Sequence, residues 1–372
     1  MSLVSAITGL PYVGKTTLFN LLTGAGAATG AYAGADAETN VGVAKVPDDR
    51  VARLAELFRP RKTTFAEITY RDVGLTKGAG AGEGVSSKRL GDLRTVDALV
   101  HVVRAFRDEN VPHAEGSVDP LRDLHALDLE LLVADHGVVE RRLERIDSEL
   151  RSAKGPEREA RERERALLGR ALAALDAETP LRDVDLDPDE EKLVRGYRFL
   201  TRMPQLVVAN LDEADVRRAD EAVAPLREAA AAHRASAVVP VCARIEAEIA
   251  ELEANEATAF RADLGLREPA LERIVRATYE LLGLISFFTT GDDEVRAWTV
   301  ERGASAQQAA GTIHSDLERG FIRAEVVRWD DLLRCGSEAA AKREGLVRTE
   351  SRSYAVADGD VLKVLFNVAP RT

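Results

Sequence analysis

The stretch Leu3 to Asn20, LVSAITGLPYVGKTTLFN, narrows the folds open to this chain more than any other. Leu3 to Ile7 is an apolar run of strand type, Gly9-Leu10-Pro11-Tyr12-Val13-Gly14-Lys15-Thr16 fits G-x-x-x-x-G-K-[ST], and Thr17 onward reads as a helix start. A P-loop requires that order of strand, loop and helix. Gly9 and Gly14 let the backbone curl until its N–H groups point inward at phosphate oxygens, and the helix N-terminus adds a positive dipole end. Lys15 then reaches the β- and γ-phosphates, and the Thr16 hydroxyl holds Mg2+.

A length of 372 residues leaves room for two or three domains, each with its own core. No run of eighteen apolar residues occurs, and the N-terminus enters the P-loop strand directly. These features predict a soluble, cytoplasmic protein with neither a membrane span nor a cleaved signal. Cys242 and Cys335 are far apart and outside any C-x-x-C pair, so neither a disulfide framework nor a zinc site is expected. A net charge of -12 argues against a general nucleic-acid coat and leaves a local basic face open.

Leu21 to Thr39 is rich in Gly and Ala, lacks periodicity, and reads as a mobile phosphate-sensing loop. Asn40 to Val46 alternates like a strand, Val51 to Phe58 has helical spacing, and Arg59-Pro60-Arg61-Lys62 is a basic turn. Phe65 to Val73 predicts another strand, with Asp72 at its end placed to hold Mg2+ through a water molecule. Gly74 to Gly84 carries five glycines in eleven residues and is built to move. Ala98 to Val103 reads as a strand covered on both faces. Strands alternating with helices predict a mostly parallel α/β sheet.

With these residues the chain resembles the Obg-like ATPases of the YchF subfamily, within the translation-factor-related P-loop GTPases. The resemblance is carried by GLPYVGKTTLFNLLTG, NVGVAKVPDDR, KGAGAGEG, DALVHVVRAF and SVDPLRDL, and continues nearly to the C-terminus. It implies binding and slow hydrolysis of ATP with Mg2+, and association with the ribosome or ribosomal RNA. Neither a membrane nor sequence-specific DNA is an expected partner.

Leu132, Val139, Leu143, Ile146 and Leu150 form a coiled-coil seam, Lys154-Gly155-Pro156 turns the chain, and Leu168, Leu172 and Leu175 make a returning stripe. The charged run Glu157 to Arg165 reads as a solvated helix face. Asp187-Pro188-Asp189-Glu190 opens a further helix with a cap and a first-turn proline. In the family this region is a helical hairpin inserted into the nucleotide domain.

Gln205 to Ala209 returns to strand and ends in Asn210-Leu211-Asp212-Glu213. Related GTPases carry Asn-Lys-x-Asp here, and the Asp grips guanine with two hydrogen bonds. Leu211 replaces the Lys, and Glu213, one methylene longer, replaces the Asp, so the bidentate grip is misplaced and its discrimination lost. The subfamily has Asn-x-x-Glu and prefers ATP. Ala237 to Cys242 is one more strand, and Cys242-Ala243-Arg244 takes the place of the family's second base-contacting loop. After a helix at Leu271 to Leu284, the strands Ile285 to Thr290, Val295 to Val300, Phe321 to Val327 and Val361 to Phe366 and a capping box at Ser305 and Gln308 predict a β-grasp arrangement resembling a TGS domain. His314 is expected to pack or cap. Residues 284–372 hold twelve basic and fourteen acidic side chains, so an RNA-binding role there rests on resemblance and not on charge.

The expected division is therefore 1–127 with 201–283 as nucleotide domain, 128–200 as helical insertion, and 284–372 as TGS-like domain. Nucleotide contacts fall to residues 9–17, Gly74, Asn210, Leu211, Glu213, Cys242 and Ala243, and metal contacts to Thr16, Asp72 and Asp36. Leu75 stands where a water-orienting glutamine would be, and the family assigns that role to a loop histidine whose place His113 takes; Lys15 and His113 are the expected catalytic residues. The chain departs from the family twice. Asp72-Val73-Gly74-Leu75 is one residue short of Asp-x-x-Gly-Leu, a displacement of up to roughly 3.5 Å for the Gly74 amide. Asp36 replaces a threonine of the Mg2+ shell and adds negative charge beside the triphosphate. A GTPase and a non-catalytic nucleotide-binding adaptor are the alternatives that these residues leave open.

Overall fold

The computed structural model describes residues 3–26, 39–74, 86–266 and 268–367. Asp36, Leu75 and the glycine-rich run after it lie outside the described residues.

The strands are β1 (Val4–Thr8), β2 (Asn40–Lys45), β3 (Lys62–Thr64), β4 (Glu67–Asp72), β5 (Ala98–Ala105), β6 (Gln205–Leu211), β7 (Ser236–Val241), β8 (Leu284–Thr289), β9 (Glu294–Glu301), β10 (Phe321–Arg328), β11 (Arg348–Glu350) and β12 (Asp360–Phe366). One six-stranded sheet has the order β2-β4-β1-β5-β6-β7. Its β1 runs parallel to β4 and β5, and β6 runs parallel to β5 and β7, which bears out the mostly parallel α/β sheet. All of β6, and β5 up to Arg104, are buried, so apolar side chains fill both faces of the sheet centre.

The first helices are α1 (Lys15–Thr23), α2 (Asp49–Phe58), α3 (Ser87–Leu93), α4 (Pro120–Glu149) and α5 (Gly155–Asp176). Pairing of α4 with α5 buries Leu132, Val139, Ile146, Leu168 and Leu175 in one cluster, with Leu143, Leu150 and Leu172 packed against it, so the seam read from the spacing is the contact surface. Gly155 opens α5 at φ 55, a left-handed turn that glycine adopts freely. Asp187 and Glu190 form the expected capping box.

The described residues group into two compact units, one from within Leu3–Gly42 and Thr69–Thr278, the other from Val43–Ile68 and Tyr279 onward. The second unit holds the other six-stranded sheet, β11-β10-β12-β8-β9-β3. In it β8 and β9 form an antiparallel pair, β12 runs parallel to β8, and β10 antiparallel to β12. A helix at Ala306–Ile313 lays Ala306, Ala309 and Ala310 onto Ile285, Phe287 and Leu362 of that sheet, a β-grasp arrangement. The Ser305 and Gln308 capping box is present, and His314 caps the next helix by accepting from the Asp316 amide. The segment 43–68, expected in the nucleotide domain, packs instead with the C-terminal residues. Lys62, read as the end of a basic turn, starts β3, which pairs in parallel with Glu294 to Arg296 of β9.

Candidate functional site

The phosphate end of the site is built where β1 hands over to α1. Gly9 leaves the strand at φ 142, and a Cβ there would sit 2.3 Å from the Val102 carbonyl oxygen on β5. Gly14 precedes α1 at φ 95, and a Cβ on it would lie 2.5 Å from Asn210 Nδ2. The two glycines are thus required by different neighbours, the sheet for one and the base end of the site for the other. Tyr12, at φ 64, is a non-glycine residue in the left-handed region, and the loop stores strain there. No side chain caps α1, and its first turn carries no acidic residue. Its leading N–H groups and its positive dipole end are left for an anion.

Lys15 donates from Nζ to the Leu10 carbonyl across 2.6 Å. Burial lowers its pKa to about 8, and the nearby Asp72 carboxylate offsets part of that effect. A largely buried ammonium of this kind gains from added negative charge. The β1 and β4 register sets Ile7 opposite Asp72, which brings Asp72 to the first turn of α1. There Thr16 Oγ1 donates to Asp72 Oδ2 at 2.7 Å. Gly74 follows two residues later, and its Cβ position is 4.0 Å from Lys15 Cε, so the short Asp72-Val73-Gly74 spacing still delivers Gly74 to the lysine.

The base end is organised by Asn210. Its Nδ2 donates to the Val13 carbonyl at 3.0 Å, and its Oδ1 accepts from the Ala243 amide at 3.0 Å. Both halves of the amide are engaged within the protein, so Asn210 joins the P-loop to the loop after β7. A cleft of about 350 Å³ opens beside it. Gly14, Thr17, Asn210, Leu211, Glu213, Cys242 and Ala243 line this cleft. The Glu213 carboxylate meets Arg244 Nε at 2.8 Å. Burial pushes the Cys242 thiol pKa up, in keeping with a packed, unreactive side chain.

Sequence reading missed the opposite wall, Phe106, Arg107 and Asp108. The Arg104 guanidinium sits 4.4 Å from the centre of the Phe106 ring and supports it as an aromatic surface at the cleft. These residues lie just past the end of β5, where ligand-contacting loops of parallel sheets gather. That position was the available signal. His113, on the same segment, is not among the residues lining the cleft. Its Nδ1 accepts from the Glu115 amide, and its Nε2 faces Asp123. A second residue hidden from sequence reading is His101 on β5, fully buried beside Thr8 of β1. Burial lowers its pKa to about 4 and keeps it neutral.

Among the described residues no group of three or more His, Cys, Asp or Glu side chains could hold a metal ion. A hydroxyl paired with one carboxylate, next to a phosphate-binding helix terminus, suits a hard cation that takes its remaining oxygens from phosphate and water. Thr16 and Asp72 fit Mg2+ on those grounds.

Phosphate end and base end meet at the carboxyl edge of one parallel sheet, the arrangement of nucleotide-binding proteins of the P-loop GTPase class. A family model described as "50S ribosome-binding GTPase" matches residues 4–134, and one for the C-terminal part of YchF-type GTPases, described as "Protein of unknown function (DUF933)", matches residues 284–367. The chain is 46% identical over 371 residues to "Ribosome-binding ATPase YchF" of Bacillus subtilis, covering 99% of this chain and 100% of that protein. It is 42% identical over 369 residues to the protein of the same name from Escherichia coli O157:H7, with 99% and 100% covered. The solved structure titled "Structure of the Schizosaccharomyces pombe YchF GTPase" superposes with a TM-score of 0.85 at 31% identity, covering 98% of both chains. The chain belongs to the YchF family.

No helix among the described residues is long and apolar enough to cross a membrane.

Proposed function

We propose that this protein binds ATP with Mg2+, hydrolyses it slowly to ADP and phosphate, and acts in the cytoplasm as a ribosome-associated regulator. The observation that carries the reading is the joint arrangement of Lys15, Thr16 and Asp72 at the uncapped start of α1, tied through Asn210 to a cleft of nucleoside size. Relatives of near-identical length bear the name ribosome-binding ATPase. The division into 1–127 with 201–283, 128–200 and 284–372 belongs to this proposal, with 43–68 reassigned by its packing.

The P-loop amides and Lys15 bind the phosphates and neutralise charge on them. Thr16 and Asp72 hold Mg2+, with Asp36 a third proposed contact; when bound, the ion neutralises charge on the phosphate oxygens. Gly74 contacts the γ-phosphate from the side of Lys15. Phe106 and Leu211 take the adenine between apolar surfaces. In hydrolysis a water oxygen bonds to the γ-phosphorus, and the bond to the bridging oxygen breaks with its electron pair left on ADP. As the resemblance implies, His113 orients that water after leaving its contacts with the Glu115 amide and Asp123, and the water's proton passes to solvent.

GTP is the second reading, and Glu213 at the cleft wall favours it, since a carboxylate there can accept from the guanine N1–H. Calorimetric titration with ATP and GTP, each with and without Mg2+, decides between them. Tighter, Mg2+-responsive ATP binding that Asp72→Asn weakens supports the proposal, and tighter GTP binding overturns the ATP assignment. Co-sedimentation with ribosomes in each nucleotide state tests the association.

A further inference from the structure

Past the end of β5 the chain leaves regular structure, and four carbonyls of residues 106–112 converge on one buried side chain. Arg104, only 2% exposed, donates from Nε to the Phe106 carbonyl (3.2 Å) and from Nη1 to that of Pro112 (3.0 Å). Its Nη2 donates to the carbonyls of Asp108 (3.2 Å) and Val111 (3.1 Å). Carbonyls turned away from water need donors, and a loop has no ladder to supply them. The guanidinium fork does so, and all four of these partners are carbonyls rather than carboxylates.

Hydrogen bonds of a guanidinium lie in its plane and leave its flat face open. The Phe106 ring sits over that face, with its centre 4.4 Å from the Arg104 Cζ. A lysine cannot hold a ring and a fan of carbonyls at once, because its donors radiate from one point. A second tie comes from the loop after β6, where Asp212 Oδ2 accepts from the Arg107 N–H at 3.2 Å and Oδ1 from the Ala214 N–H at 3.3 Å. Phe106, Arg107 and Asp108 line the nucleotide cleft, and Arg104 is not among the lining residues. It stands behind the wall and reaches the cleft only through Phe106.

We propose that Arg104 is a positioning residue for the nucleotide base: it holds one face of the Phe106 ring so that the base stacks on the other, and it sets the affinity for the base without contributing to the affinity for the phosphates. This rests on the reading of Phe106 as a base-contacting surface. A ring fixed before the ligand arrives loses no rotamer freedom on binding, so the stacking energy is not offset by the ordering of the wall. The phosphate end is built from other elements, the Gly9 to Gly14 loop and the start of α1, and does not depend on this fork.

Calorimetric titration of the full-length chain with ATP and with inorganic tripolyphosphate, both in Mg2+, tests this; where tripolyphosphate binds too weakly for direct titration, its Kd is read from displacement of ATP. Arg104→Lys keeps the charge and loses the fork. It is expected to raise the Kd for ATP by about fivefold or more and to leave the Kd for tripolyphosphate within about twofold. Phe106→Leu should do the same, and the double variant should match Phe106→Leu alone within about twofold. If Arg104→Lys fails to fold, Arg104→Gln, a smaller neutral side chain that still donates twice, takes its place with the same expected readouts. Equal weakening of both ligands would overturn the proposal and make Arg104 a general support of the domain. An unchanged ATP Kd in Arg104→Lys beside a raised one in Phe106→Leu would overturn it as well, leaving the wall reading intact. An unchanged ATP Kd in Phe106→Leu would remove the wall reading itself, and this proposal with it.

Discussion

Asn210 closes on Gly14 so tightly that a single Cβ on the glycine would lie 2.5 Å from its Nδ2. The same amide bonds the Val13 carbonyl and the Ala243 N–H, so phosphate loop and base loop share one fastening. Replacing Asn210 by Ala leaves a buried carbonyl and a buried N–H unpaired, a cost of about 1–3 kcal/mol each. ATP affinity in calorimetric titration should fall by about tenfold or more, with a lower Tm. Unchanged affinity would mean that the two loops hold their places without it.

Arg244 and Glu213 meet at the cleft mouth, and both side chains are well exposed, at 75% and 46%. An exposed pair of this kind contributes little to stability. Arg244→Ala should therefore leave Tm nearly unchanged while freeing the Glu213 carboxylate. Competition titration should show the ratio of ATP to GTP affinity moving toward GTP, by less than about tenfold. A shift toward ATP would indicate that Arg244 itself contacts the nucleotide.

The burial of the Lys15 ammonium costs the fold stability. Its pKa is lowered from 10.5 to about 8 by burial, so the folded state binds its proton less well than the unfolded state between those pH values. Wild-type stability without nucleotide should rise with pH through that window, and Lys15→Met should remove the slope. At pH 7 the variant should be more stable, by at most about 3 kcal/mol in denaturant titration, while binding ATP at least about a hundredfold more weakly.

His101 has the same sign at lower pH. Its ordinary value of 6.5 is lowered to about 4 by burial, with Asp128 opposing and Lys15 adding to the shift. The unfolded state takes up a proton that the folded state refuses, so the stability present above 6.5 is lost as pH falls toward 4. The loss from this group is at most about 3 kcal/mol, and His101→Leu should flatten that part of the acid limb in chemical denaturation. An unchanged limb would place the acid sensitivity elsewhere.

The central strands β5 and β6 were legible because an apolar run covered on both faces has few other readings, and the seam from Leu132 to Leu150 was legible because its spacing has one geometric solution. The P-loop residues were legible because phosphate chemistry dictates them. Phe106 to Asp108 were not, since a cleft wall made by a loop has no required spacing. His101 was hidden by the apolar residues around it, which dominate the pattern of a buried strand. Lys62 to Thr64 is too short and too polar to read as a strand, and only its pairing with Glu294 to Arg296 makes it one. The exchange of segment 43–68 into the C-terminal unit could not be read, because local pattern carries no record of which distant strand a segment joins.

That exchange sets an order on synthesis. Thr64 of β3 hydrogen-bonds Glu294 of β9 over 230 residues of chain. At about 5–20 residues per second the ribosome delivers the second partner roughly 10–45 s after the first. During that interval β3 and α2 are already made while the sheet they belong to does not exist. A nascent chain stalled or cut before β9 therefore leaves β3 unpaired and the Val51 and Leu54 face of α2 without the sheet that covers it.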